Sequence, residues 1–77
     1  MKATHFPKFY VERMRSLMLA PKDMRRRLKA GRFAEWTWRT GRRLPRGRRL
    51  RLMAQILETS VQALQALIDK DQQERRA

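Results

Sequence analysis

The chain has 77 residues and no cysteine, with 20 Lys or Arg against 7 Asp or Glu and a formal net charge of +13. That length excludes more than one domain, and it limits how much surface folding can bury. The absence of Cys excludes a disulfide framework and a thiolate metal site, so helix packing or a partner must supply the stability. The charge is uneven: residues 1–51 hold 17 bases and 3 acids, net +14, and residues 52–77 hold 3 bases and 4 acids, net −1. Self-repulsion of that size favours a polyanionic partner, which would neutralise the bases and release its own counterions. Most of the bases are Arg, whose planar fork suits phosphate and guanine better than the point charge of Lys.

Residues 1–7 read as a loose leader ending at Pro7, with His5 a plain surface residue. From Lys8 the apolar side chains Tyr10, Met14, Leu17 and Met18 follow the i, i+4, i+7, i+8 stripe of an amphipathic helix. Pro21 restarts the chain at a first helical position, with Asp23 in the positively polarised first turn and Met24 and Leu28 facing inward. Lys29-Ala30-Gly31 is expected to make a tight turn in which Gly31 supplies the backbone freedom. A third helix spans residues 32–40 and is closed by Gly41.

After the connector at 42–47, a fourth helix from about Gly47 to Glu58 carries Leu50, Met53, Ile56 and Leu57. A fifth carries Val61, Leu64, Leu67 and Ile68, with either Thr59 or Ser60 as its cap. Met14, Met18, Met24 and Met53 all fall on apolar stripes and read as core filler. Residues 71–77 are polar and are expected to fray. No segment alternates with period two. The expected fold is therefore all-α, a compact bundle of about five short helices containing a helix-turn-helix, with the domain at 8–70.

The third helix holds the main ambiguity. Trp36 and Trp38 project about 200° apart on a helix, so both cannot face the core. If Trp38 packs inward, Arg32, Phe33 and Trp36 face outward together; if Phe33 and Trp36 pack inward, Trp38 is exposed. Either way an aromatic surface stands among arginines, which makes Phe33, Trp36 and Trp38 candidate partner contacts. Single-stranded nucleic acid and protein interfaces use such rings more readily than a duplex groove does.

Arg42, Arg43, Arg46, Arg48, Arg49 and Arg51 surround the connector and the start of the fourth helix, where backbone donors add to an anion-attracting field. Arg25, Arg26 and Arg27 fan over the second helix, so at least one must reach solvent. Arg25, Arg26, Arg42, Arg43, Arg46, Arg48 and Arg49 are the phosphate-contact candidates; Arg32, Thr37 and Arg39 are the candidates for base edges. The seven carboxylates form no recognisable catalytic pair or metal motif, and no phosphate-binding Gly loop is present. An enzyme is not expected, nor is a cofactor.

Residues 36–45 (WTWRTGRRLP) resemble the end of the recognition helix and the following loop in the Cro and lambda-repressor-like helix-turn-helix family. Residues 50–64 (LRLMAQILETSVQAL) are similar to its fourth helix and Ser-capped fifth helix, and residues 20–28 occupy the place of its second helix. The chain departs from the family's preferences at Arg25, Lys29 and Glu35, where a small residue, a Gly and an apolar residue are usual. The link between its first and second helices is also shorter than usual. The resemblance implies a DNA-binding transcription regulator of phage type, a DNA partner, Trp38 packed inward, and a dimer joined through the fifth helix. The alternative is a small adaptor that binds RNA polymerase and modulates initiation, termination or antitermination without recognising an operator. No apolar run reaches the roughly 20 residues of a membrane span, and the start lacks a secretory apolar stretch. The expected location is the cytoplasm of a prokaryotic or phage-infected cell.

Overall fold

The computed structural model describes residues 3–76, which form five helices in the order α1 (His5–Ser16), α2 (Pro21–Leu28), α3 (Arg32–Thr40), α4 (Gly47–Ile56) and α5 (Val61–Arg76). The described residues contain no strand. α1 packs on α3 and α5, α2 on α3 and α4, and α4 on α5. The core they enclose is built from Phe6, Tyr10 and Met14 of α1, Met24 and Leu28 of α2, and Trp38 of α3. Leu50, Met53, Ala54 and Leu57 join them from α4 and its end, and Leu64 and Ile68 from α5. Among the described residues, no helix is long and apolar enough to cross a membrane.

Two expectations about the chain ends are corrected. The residues read as a loose leader are ordered from Ala3 onward: Ala3, Phe6 and Pro7 are buried, and α1 begins at His5 rather than at Lys8. Met1 and Lys2 lie outside the described residues. The cause lies far along the chain in Asp71, within the segment expected to fray. Its buried carboxylate accepts the backbone N–H groups of Thr4 (3.0 Å), His5 (2.8 Å) and Phe6 (2.8 Å). Pro7 has no N–H to satisfy. The donors that a helix start leaves unpaired are thus met by one side chain from the other end of the molecule. α5 continues through Arg76, and Asp71 follows Leu64 and Ile68 on its buried stripe. His5 is not a plain surface residue either; its Nε2 lies 2.8 Å from both carboxylate oxygens of Glu74.

This cap predicts a pH-dependent stability. Burial works against the charge on Asp71, but the three backbone donors outweigh it and hold its carboxyl below the ordinary carboxylate value. A folded value below the unfolded one means that the contribution is present above the unfolded value and is lost as pH falls through the folded one. Asp71→Asn should cost about 1–2 kcal/mol at neutral pH. Urea melts at about pH 6 and about pH 3 should show the wild type losing stability on acidification, with a smaller loss in the variant. Equal losses would refute the cap.

Helices α1 to α4 end alike. Met18 (φ 56°), Lys29 (φ 52°), Gly41 (φ 78°) and Glu58 (φ 55°) each take the left-handed conformation just past a helix. The next residue then donates back into the final turn: Leu19 to Met14, Ala30 to Arg25, Arg42 to Thr37 and Thr59 to Ala54, at 2.8–3.0 Å. Those bonds satisfy carbonyls that a helix end leaves open. The turn after α2 therefore relies on Lys29, and Gly31 is extended (φ −79°, ψ 172°), contrary to the role expected of it. Met18 leaves the core for the same reason: the left-handed step carries its side chain into solvent, where it is 91% exposed. Only at Gly41 does the turn also demand the absence of a side chain, because a Cβ there would collide with the backbone carbonyl of Ala3. Ser60, rather than Thr59, caps α5, its hydroxyl accepting the Ala63 N–H at 3.0 Å.

Candidate nucleic-acid interface

The rotation of α3 determines what the basic half of the molecule presents. Trp38 is buried, and Thr37 and Glu35 turn inward with it. Glu35 is fully buried: both its oxygens accept Arg39 Nε (2.8 and 2.9 Å), and one accepts the hydroxyl of buried Tyr10 at 2.9 Å. Burial first, and then the neighbouring carboxylate, push the Tyr10 phenol above its ordinary value, so it remains a hydrogen-bond donor. This acid is therefore paired inside the bundle, tying α3 to α1.

That rotation settles which Trp is outside. Trp38 is removed from the partner contacts expected of it, while Phe33 and Trp36 are 63% and 37% exposed. Their rings lie one helical turn apart, with centroids separated by 5.9 Å and planes tilted by 37°. One of the three base-edge candidates, Thr37, is also corrected. Thr37 is buried and donates its hydroxyl to the Ala34 carbonyl at 2.6 Å. Arg39 is half-covered, and its Nε is committed to Glu35. Arg32 alone of the three is fully open.

The phosphate candidates separate into three groups. Arg46, Arg48 and Arg49 are exposed around the start of α4, where Arg46 makes no side-chain capping bond, and Arg51 is exposed one turn on. Arg42 and Arg43 lie over the aromatic pair, with guanidinium carbons 4.8 Å from the Trp36 centroid and 5.8 Å from that of Phe33. On α2, Arg26 is exposed but pairs with Asp23 at 3.3 Å, and Arg25 is half-buried beside α3. Ring faces attract cations through their quadrupole, so the stacked guanidinium groups are held in place without losing their charge to a carboxylate.

Two depressions flank Phe33. A cleft of about 350 Å³ is bounded by Arg25, Arg32, Phe33, Trp36 and Arg39. A groove of about 590 Å³ lies between the 42–46 connector and α5, with Trp38, Leu44 and Ile68 among its apolar lining and Arg42, Arg43, Arg46, Arg49 and Arg75 among its bases. Neither is lined by an Asp or Glu. Arg75 was missed from the sequence because the end of α5 reads as a polar tail; it donates to the Gly41 carbonyl at 2.7 Å. The signal was there: Gln65, Ile68, Gln72 and Arg75 continue one helical face past Lys70.

The described residues contain one cluster with metal-ligand spacing, His5, Asp71 and Glu74, whose ligand atoms lie within 4.8 Å of one another. Every bond described above directs these groups at the start of α1 or at each other, which makes the cluster a helix cap. In comparisons with known proteins, the chain matches no family model, no curated protein and no solved structure.

Proposed function

We propose that this protein is a DNA-binding transcription regulator that holds nucleic acid chiefly by its phosphates. The supporting observation is the exposed arginine arc of the connector and early α4, Arg42, Arg43, Arg46, Arg48 and Arg49, with no carboxylate in the groove beside it. Such contacts fix position on a strand without reading its sequence. This reading takes α2, the connector at 29–31 and α3 as the helix-turn-helix. In that arrangement Arg32 is the candidate reader of a base edge. A two-fold site would call for a dimer, with α5 as the proposed self-contact.

The second reading, an adaptor that binds RNA polymerase without recognising an operator, is favoured by the fate of α3. With Thr37 buried and Arg39 Nε held by Glu35, the outward face of that helix offers two rings beside a single exposed base-edge candidate, Arg32. Rings and arginines are common anchors at protein interfaces.

Selection of random duplexes at physiological salt separates the two. An operator-reading regulator should enrich a symmetric motif and lose it on Arg32→Ala. The adaptor should enrich no motif, should bind purified RNA polymerase, and should lose that contact on Trp36→Ala. Failure to bind duplex, single strand or polymerase even in dilute salt would end both readings.

A further inference from the structure

We propose that the basic track running from the α2–α3 cleft across Phe33 and Trp36 into the connector–α5 groove takes single-stranded nucleic acid. Unpaired bases stack at the two rings, and the phosphates lie along the arginines on either side. This rests on the nucleic-acid reading above and narrows it to an unpaired strand.

A duplex hides the faces of its bases and offers only their edges, which are read by hydrogen-bonding side chains. α3 has withdrawn one of those side chains, Thr37, and holds Arg39 by its Nε on Glu35, which leaves Arg32 at the start of the helix as the exposed one. What α3 presents is a pair of ring faces, which an unpaired base can match because both of its own faces are open. The rings also come with guanidinium groups within cation–π range, Arg42 at 4.8 Å over Trp36 and Arg43 at 5.8 Å over Phe33. Bases stack on guanidinium planes as well as on rings, so an entering base extends an existing stack.

The charge has the matching sign throughout. The cleft contributes three arginines and the groove five, eight in all, without an acid in either lining. Phe33 lines both depressions, so they meet at that ring, with Trp36 on the cleft side. The groove, at about 590 Å³, has the volume to take part of a ligand, within the roughly 300–1,000 Å³ of small-molecule sites. Exposed Gln72 on its α5 wall carries both a donor and an acceptor for a base edge.

The test uses the full chain with a labelled oligothymidylate and the duplex formed from it, followed by anisotropy and by tryptophan fluorescence. Trp38 lines the groove, so its share of the signal is taken from Trp36→Phe, and the difference from the wild type reports stacking at Trp36. The single strand should bind more tightly than the duplex and quench the emission. Phe33→Ala, at an exposed position, should weaken single-strand binding by about 5- to 150-fold, the range for one stacked base, and leave duplex binding unchanged. Phe33→Tyr should restore it, which a merely altered fold would not. Equal binding of both forms, unaffected by Phe33→Ala, would overturn this proposal while the phosphate-contact reading stands. Loss of RNA polymerase binding in Phe33→Ala with single-strand binding intact would overturn it in favour of a protein contact. No binding of either oligonucleotide would remove the phosphate-contact reading and this one with it.

Discussion

Replacing Glu35 by Ala should cost about 3 kcal/mol, the largest stability loss expected from a single polar substitution in this chain. The carboxylate is completely buried and serves two partners from different directions, Arg39 one turn along α3 and Tyr10 on α1. Its removal leaves the Tyr10 hydroxyl in dry space without an acceptor, at about 1–3 kcal/mol. The abandoned charge on Arg39 adds less than a fully buried cation would, because that side chain is 36% exposed and can turn toward water. At 77 residues the total stability is about 4–12 kcal/mol, so the loss is a large fraction of it. The melting midpoint should fall by roughly 12–24 °C. Glu35→Gln keeps an acceptor for Tyr10 and should lose only about 1 kcal/mol. A double-mutant cycle with Tyr10→Phe should show clear coupling. If Ala and Gln prove equally mild, the buried network does not hold α3 to α1.

The largest effect on binding is expected from Arg46→Ala, Arg48→Ala and Arg49→Ala combined. All three side chains are exposed, and the contact of Arg49 over the Trp38 ring at 5.7 Å is a minor contribution to the fold. If each meets one phosphate, the slope of log affinity against log salt should become shallower by about 2.7, at roughly 0.9 per contact on duplex. Over the fourfold range from about 50 to 200 mM salt, the wild type should therefore lose about 40-fold more affinity than the variant. The loss should be uniform across sequences, because phosphates carry no base information. Titrations at four or five salt concentrations, with thermal melts to confirm folding, measure this directly. A slope identical to that of the wild type would place the phosphate grip elsewhere on the surface.

Five helical segments, their apolar stripes and the stop at Gly41 were legible in the sequence because each depends on residues within a turn or two of one another. The spacing of Met24 and Leu28, or of Leu50, Met53 and Leu57, implies a helix and its buried side whatever lies opposite. The surplus of arginine was equally plain, since net charge needs no fold to be counted. The rotation of α3 was not legible from spacing. Trp36 and Trp38 offered two self-consistent orientations. The inward one is held by Tyr10, which lies 25 positions from Glu35 in the chain and supplies the hydrogen bond that lets a carboxylate enter the core.

The same holds where α1 begins. Residues 3–7 contain no strong start signal of their own; their order depends on an aspartate 65 to 67 positions away, at the far end of α5. Lys29 and Met18 adopt left-handed turns that their side chains do not favour, because the packing of successive helices requires a reversal there. The amino-acid sequence by itself determined that this is a helical, strongly cationic protein. Only the tertiary structure decided that its third helix presents Phe33 and Trp36 and conceals Thr37, because that depends on which distant polar group satisfies Glu35.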